Sequence, residues 1–164
     1  MFDGPLDVSW HHCATTSDFI ADLFALRFQS SRHDYREARH SIGYLVNELI
    51  ENAVKFRAPG EIIVEAAIES ENFKVKVSNV VDGETTVEFQ NLLAEITAGE
   101  PGELLIQRIE ANAAESEATS SGLGLLTLMS DYGASLAWVF SPTDERDLVR
   151  LETYASIPVH KNHN

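Results

Sequence analysis

Asn47-Glu48-Leu49-Ile50-Glu51-Asn52-Ala53-Val54-Lys55-Phe56 is the stretch on which the reading of this chain turns. Together with the residues just before it, it places Ile42, Leu45, Val46, Leu49, Ala53 and Phe56 at i, i+3, i+4, i+7 spacing. That pattern predicts an amphipathic helix whose apolar stripe faces a sheet. Glu48 and Asn52, four residues apart, lie about 40° apart around the helix axis and project side by side. They fall at the border of the stripe, where a groove would lie. A carboxylate and a carboxamide so placed suit a site in which one orients a water and the other holds a metal. The plainer account is a solvated helix face, with Glu51 and Lys55 as an ordinary i, i+4 ion pair.

Later in the chain stands Ser121-Gly122-Leu123-Gly124-Leu125, opening another apolar stretch. Glycines ahead of a helix let the backbone approach a phosphate and offer it unpaired N–H groups. Alone, such a pair of glycines is a weak signal; its order after the first motif gives it meaning.

The first motif resembles the N-box of the GHKL superfamily, which includes gyrase, the large heat-shock chaperones, histidine-kinase catalytic domains and bacterial anti-sigma-factor serine kinases. By that resemblance the helix lines an ATP site. Asn52 matches the Mg2+-ligand asparagine, Glu48 the general base of members with ATPase or kinase activity, and Lys55 a frequent phosphate-side lysine. Gly122, Leu123 and Gly124 match the glycine box at the start of the next helix. The resemblance covers roughly residues 38–157. It implies the Bergerat fold, a two-layer α/β sandwich in which a mixed sheet carries helices on one face.

Two departures from the family pattern bear on nucleotide binding. Members that bind ATP carry an Asp-x-Gly-x-Gly box whose aspartate accepts the adenine amino group; here the segment is Val77-Ser78-Asn79-Val80-Val81-Asp82-Gly83-Glu84-Thr85. In one register Asn79 takes the aspartate's place and Val81 that of the first glycine, where a β-branched side chain obstructs backbone approach. In a shifted register Asp82 takes the adenine role, with Glu84 and Thr86 at the glycine positions. Neither restores the box. The segment that would form the ATP lid, residues 84–119, carries Glu84, Glu88, Glu95, Glu100, Glu103, Glu110, Glu115 and Glu117 against Arg108. At about 8 Å and an effective dielectric near 40, each like-charge pair with a phosphate costs on the order of 1 kcal/mol, so several outweigh one lysine. The expectation is weak or absent binding of ATP or ADP and Mg2+.

Composition narrows the classes of function. The 164 residues, 44% hydrophobic and 9% aromatic, suffice for one sizeable core, and the whole of residues 1–164 reads as a single domain. A formal net charge of −14 repels phosphate backbones and anionic lipid, which argues against nucleic acid and membrane as partners. No apolar run approaches the roughly 20 residues of a membrane span, and Met1-Phe2-Asp3-Gly4-Pro5 lacks the features of a signal peptide. With Cys13 the only cysteine, no intrachain disulfide forms, and the expectation is a cytoplasmic protein. His11 and His12 beside Cys13 lack a second cluster to complete a metal site.

Along the chain, residues 6–12 read as a short edge strand. Thr16-Ser17-Asp18 offers N-cap residues for a helix over about 18–29, whose Phe19, Ile20, Leu23, Phe24, Leu26 and Phe28 suit core or a dimer seam. Arg27, Arg32, His33, Arg36, Arg39 and His40 form a basic connection to the N-box helix, which should stop near Arg57-Ala58-Pro59-Gly60. Residues 61–69 and 73–81 read as a hairpin across Ser70-Glu71-Asn72, and 87–96 and 102–115 as helices. Residues 123–132 form a helix closed by Gly133, and 135–140 with 148–157 a final hairpin across Ser141-Pro142-Thr143-Asp144. Residues 1–37 thus stand as an N-terminal part, 38–157 as the Bergerat core and 158–164 as a tail.

Of the family's members, the small anti-sigma-factor type fits this length. The resemblance therefore implies a regulator in a bacterial partner-switching system, binding a STAS-domain anti-sigma-factor antagonist, a sigma factor or another output protein, and often a homodimer. The alternative it implies is an active protein-serine kinase that uses Mg-ATP, with Glu48 as base and Asn52 on the metal.

Overall fold

A computed structural model describes residues 10–29, 31–114 and 122–159. Within these residues, five α-helices and four strands follow in the order α1 (Trp10–Ala25), a 3-10 turn (Leu26–Phe28), α2 (Arg32–Phe56), β1 (Ile63–Glu69), β2 (Asn72–Asp82), α3 (Gly83–Ile96), α4 (Pro101–Ala114), α5 (Leu123–Asp131), β3 (Ser135–Pro142) and β4 (Leu148–Pro158).

The strands form one antiparallel sheet in the order β1-β2-β4-β3. The expected two-layer α/β sandwich is present. Its sheet, expected to be mixed, has no parallel pair among the described residues. The two hairpins account for the outer pairs, and the α3–α5 crossover returns the chain so that β4 lies antiparallel beside β2. Alternation then sorts the side chains. Phe73, Val75, Val77, Asn79 and Val81 of β2, with Leu151, Thr153, Ala155 and Ile157 of β4, are buried. The opposite face carries Lys74 and Lys76, paired with Glu69 and Glu65.

α2 supplies the other half of the core. Ile42, Leu45, Val46, Leu49 and Ala53 are buried as its apolar stripe requires, joined by Ile50, while Phe56 packs at the edge against Phe89 at 5.2 Å. Ser31 caps the helix, its Oγ accepting the Asp34 N–H at 3.0 Å. The stop falls where proline and glycine place it, with Arg57 as C-cap ahead of Pro59-Gly60. Of the basic residues expected in a connection, Arg27 lies in the 3-10 turn, while Arg32, His33, Arg36, Arg39 and His40 sit in the first turns of this 25-residue helix. Ser31 begins the helix earlier than the apolar stripe alone suggests.

The N-terminal region differs most from expectation. Residues 10–12, read as part of an edge strand, begin α1; residues 6–9 lie outside the described residues, as does the tail from 160. Thr16-Ser17-Asp18 is mid-helix, and Ser17 donates its hydroxyl back to the Cys13 carbonyl at 2.7 Å. The physical reason is a small-residue stripe. Cys13, Ser17, Ala21 and Ala25 are buried along one face, and a Cβ added to Gly43 of α2 would come within 3.4 Å of the Ala21 Cβ. That close approach, with the Arg39–Asp22 ion pair, joins α1 to α2. Phe24 reaches the sheet edge-on to Phe73 at 5.2 Å, whereas Phe19, Leu23 and Leu26 are exposed.

Candidate functional site

One side of α2 carries His40, Tyr44, Glu48 and Asn52 at four-residue intervals, and the first three of these meet α5 or its C-cap. Tyr44 stacks on Tyr132 with ring centroids 4.9 Å apart and planes 9° from parallel. The Tyr132 hydroxyl lies 2.9 Å from His40 Nε2. Burial pushes the Tyr44 hydroxyl up from its ordinary value, and the Glu48 carboxylate adds to that; burial, then Asp131, does the same to Tyr132. This aromatic latch was not singled out from the sequence, although the i, i+4 series His40, Tyr44, Glu48 was visible there.

One turn further along, Glu48 is half-buried against the first turn of α5. A Cβ built on Gly124 would overlap the Glu48 carboxylate. The structure thus brings the two expected motifs together, and fills the space over the glycine with an acid. Burial pushes the Glu48 carboxyl above its ordinary value, and nearby Glu51 pushes it further in the same direction. A protonated or neutral group is therefore favoured at this point over an added anion.

Gly122 has its own structural cause. It is the N-cap of α5 at φ 89°, a left-handed conformation that disfavours a side chain. A Cβ there would also come within 3.0 Å of Ile96 and Leu92. Its carbonyl accepts the Leu126 N–H at 3.0 Å, and the carbonyl of half-buried Leu123 accepts the Thr127 hydroxyl at 2.8 Å. Asn52 is half-buried one turn beyond Glu48. Lys55 is exposed, with Nζ 5.1 Å from the centroid of the Phe56 ring.

The two candidates for the adenine role part company. Asn79 is 3% exposed on the inner face of β2, in register with Leu151, and its Nδ2 has no hydrogen-bond partner among the described residues. Asp82 is exposed and caps α3, its Oδ1 accepting the Thr85 N–H at 2.7 Å. That hydrogen bond holds its carboxyl below the ordinary value. Thr86, at a would-be glycine position, donates its hydroxyl to the Asp82 carbonyl. Asp82 thus acts as a helix cap, while Asn79 is a buried polar group with unused capacity.

The acidic segment divides into α3, with Glu84, Glu88 and Glu95, and α4, with Glu103 and Glu110; these and Glu100 in the connection between the helices are all exposed. Arg108, the base among them, is held by Glu95 at 3.1 Å. Glu115 and Glu117 fall outside the described residues. Where the resemblance would seat a phosphate, the Glu48 carboxylate covers the glycine backbone of Gly124. No described helix is long and apolar enough to cross a membrane.

No family model and no curated protein matches this sequence. Among solved structures, the chain is similar to one in the crystal structure of the SiaB–SiaC complex from Pseudomonas aeruginosa, with a TM-score of 0.63 and 13% identity. The match covers 88% of this chain and 83% of that one, and at this identity it is a likeness of fold.

Proposed function

We propose that this chain is a regulator that acts by protein capture in a partner-switching system, with a nucleotide site that binds ATP weakly or not at all. The observation that carries the reading is the fold, shared over 88% of the chain with a chain crystallised in a complex of two proteins, SiaB and SiaC. The resemblance at the N-box gives the partner class: a STAS-domain anti-sigma-factor antagonist, with a sigma factor or another output protein as the competing ligand. A homodimer is part of the same proposal. The Glu48 carboxylate over Gly124 supports the loss of nucleotide binding, because an anion arriving there meets an acid.

Calorimetric titration with ATP and ADP in the presence of Mg2+ tests the nucleotide part. No heat, and no thermal stabilisation at millimolar nucleotide, is the expected result; micromolar binding overturns it. For capture, charge reversal at Glu103 with Glu110 weakens binding of a STAS partner while Asn52→Ala leaves it unchanged. Disruption by Asn52→Ala alone would make nucleotide part of the switch.

The second reading is a protein-serine kinase, and one observation favours it: Glu48 is held at a raised proton affinity one turn from Asn52. Bound Mg-ATP would supply the phosphoryl group, Asn52 would hold the metal, and Glu48 would take the proton of a partner's serine hydroxyl. This reading requires Glu48→Gln and Asn52→Ala each to abolish phosphorylation of a STAS partner. Equal transfer by wild type and both variants sinks it.

A further inference from the structure

α4 is a 14-residue helix with no buried residue. Leu104, Leu105, Arg108 and Asn112 are half-buried on its inner side, and Gly102 lies beside Ser130 of α5. Its outer side is not simply polar. Ile106 is 60% exposed and Ile109 52% exposed, and Ala113 continues their line.

The spacing of that line is heptad spacing. With Ile106 at a, Ile109 is d and Ala113 the next a, while Glu103 and Glu110 both fall at e. All five are exposed. In a two-helix seam the a and d residues bury against the partner and the e residues meet its flanking charges. The geometry points to a docking edge for an amphipathic helix of a partner protein, with apolar residues at its a and d positions and lysine or arginine flanking them. This rests on the protein-capture reading above and specifies the surface and the kind of segment captured.

Charge selects that occupant over a second copy of this chain. Two copies of α4 packed antiparallel set e against e, which places glutamates of one copy against those of the other. Packed parallel, they set e against g, and the g positions are Leu105 and Asn112, already turned inward. A foreign helix with basic flanks satisfies both the apolar seam and the two carboxylates. Arg108 lies on the inner side of α4, where it pairs with Glu95 at 3.1 Å.

The test uses two synthetic helical peptides of three heptads, both with leucine or isoleucine at a and d. One carries lysine at e and g, the other glutamate. Fluorescence anisotropy with the whole protein at about 0.15 M salt should give binding of the lysine peptide at least about tenfold tighter than the glutamate peptide. Glu103→Lys with Glu110→Lys should reverse the preference, and Ile106→Ser with Ile109→Ser should abolish binding of either peptide. Asp144→Lys with Glu145→Lys makes the same change in net charge on the exposed β3–β4 loop and should leave the preference in place. The proposal is overturned if neither peptide binds, if the loop variant shifts the preference as much as the α4 variant, or if the isoleucine variant binds like wild type. Circular dichroism verifies that each variant is folded. Capture of a STAS partner that survives the isoleucine change sinks this surface and leaves the functional reading standing. Peptide binding by a protein that captures no such partner does the reverse.

Discussion

The carboxylate of Glu48 lies over the Cα of Gly124, in the space that a Cβ at that position would take. The glycine is therefore required by an acid of the same chain, whatever else approaches it. Because the overlapping atoms are the far end of a flexible side chain, Gly124→Ala should expel the carboxylate towards solvent and leave the helices in place. Alanine gains about 1 kcal/mol of helix propensity over glycine, which offsets much of the lost contact. The expected result is a change in urea-denaturation stability within about 1 kcal/mol. With it, the Glu48 titration, followed by carbon NMR of the side-chain carboxyl, should fall back towards 4.5. A raised titration that survives in the variant would show that the carboxylate is buried by something other than this contact.

The same raised carboxyl makes a prediction about pH. Between the unfolded value near 4.5 and the higher folded value, the native state binds more protons than the unfolded one, so stability falls as pH rises through that window. Above it, the ionised Glu48 is a fixed cost. Glu48→Gln should therefore melt higher than wild type at pH 7, and the difference should shrink as pH falls below 4.5. A glutamine variant less stable than wild type at pH 7 would mean that the ionised form is the one the fold prefers.

The β1–β2 turn is strained in its backbone. Ser70 and Glu71 both have positive φ, 47° and 64°, in a two-residue hairpin that asparagine and glycine suit better. Left-handed conformation costs a residue with a side chain roughly 1–2 kcal/mol, part of which glycine returns as lost chain entropy. Ser70→Asn with Glu71→Gly should stabilise the protein by about 1 kcal/mol in urea denaturation. The hydrogen bond from Val159 N–H to the carbonyl of residue 71 needs only backbone and is retained. No gain would place the strain elsewhere.

The parts of the fold that were legible are those written in local pattern. The stripe from Ile42 to Phe56, the stop at Pro59-Gly60, the two hairpins and the helix ended by Gly133 each rest on periodicity or turn chemistry within a short window. α1 was misread because its buried face is built from Cys13, Ser17, Ala21 and Ala25, which carry little hydrophobic signal. Phe19 and Leu23 on α1, and Leu26 in the 3-10 turn after it, are exposed. Thr16-Ser17-Asp18 is a sound local cap signal that packing against Gly43 overrides. At the candidate site both motifs were visible, but their relation was not. That an acid on α2 closes on a glycine of α5, and that Tyr44 finds Tyr132, are contacts between distant segments that no local pattern encodes.

Asn79 ties stability to the remaining question about the pocket. It is 3% exposed among Val77, Val81 and Leu151, and its Nδ2 has no hydrogen-bond partner among the described residues. A buried donor left unpaired costs about 1–3 kcal/mol. Leucine has the same branching at Cγ and no polar atom, so Asn79→Leu should raise stability by about 1 kcal/mol once the tighter packing is allowed for. Retention of a costly group is what a binding role would produce, because residues that serve a ligand are those that break local rules. Urea denaturation and calorimetric titration with Mg-ATP on the same variant separate the cases. A stabilised variant, with wild type and variant both silent to nucleotide, makes Asn79 a relic of a lost site. A stabilised variant that loses a nucleotide heat seen in wild type makes it the adenine contact. Destabilisation with no nucleotide effect in either protein would mean that the Asn79 amide is satisfied in solution, and the argument from its missing partner fails.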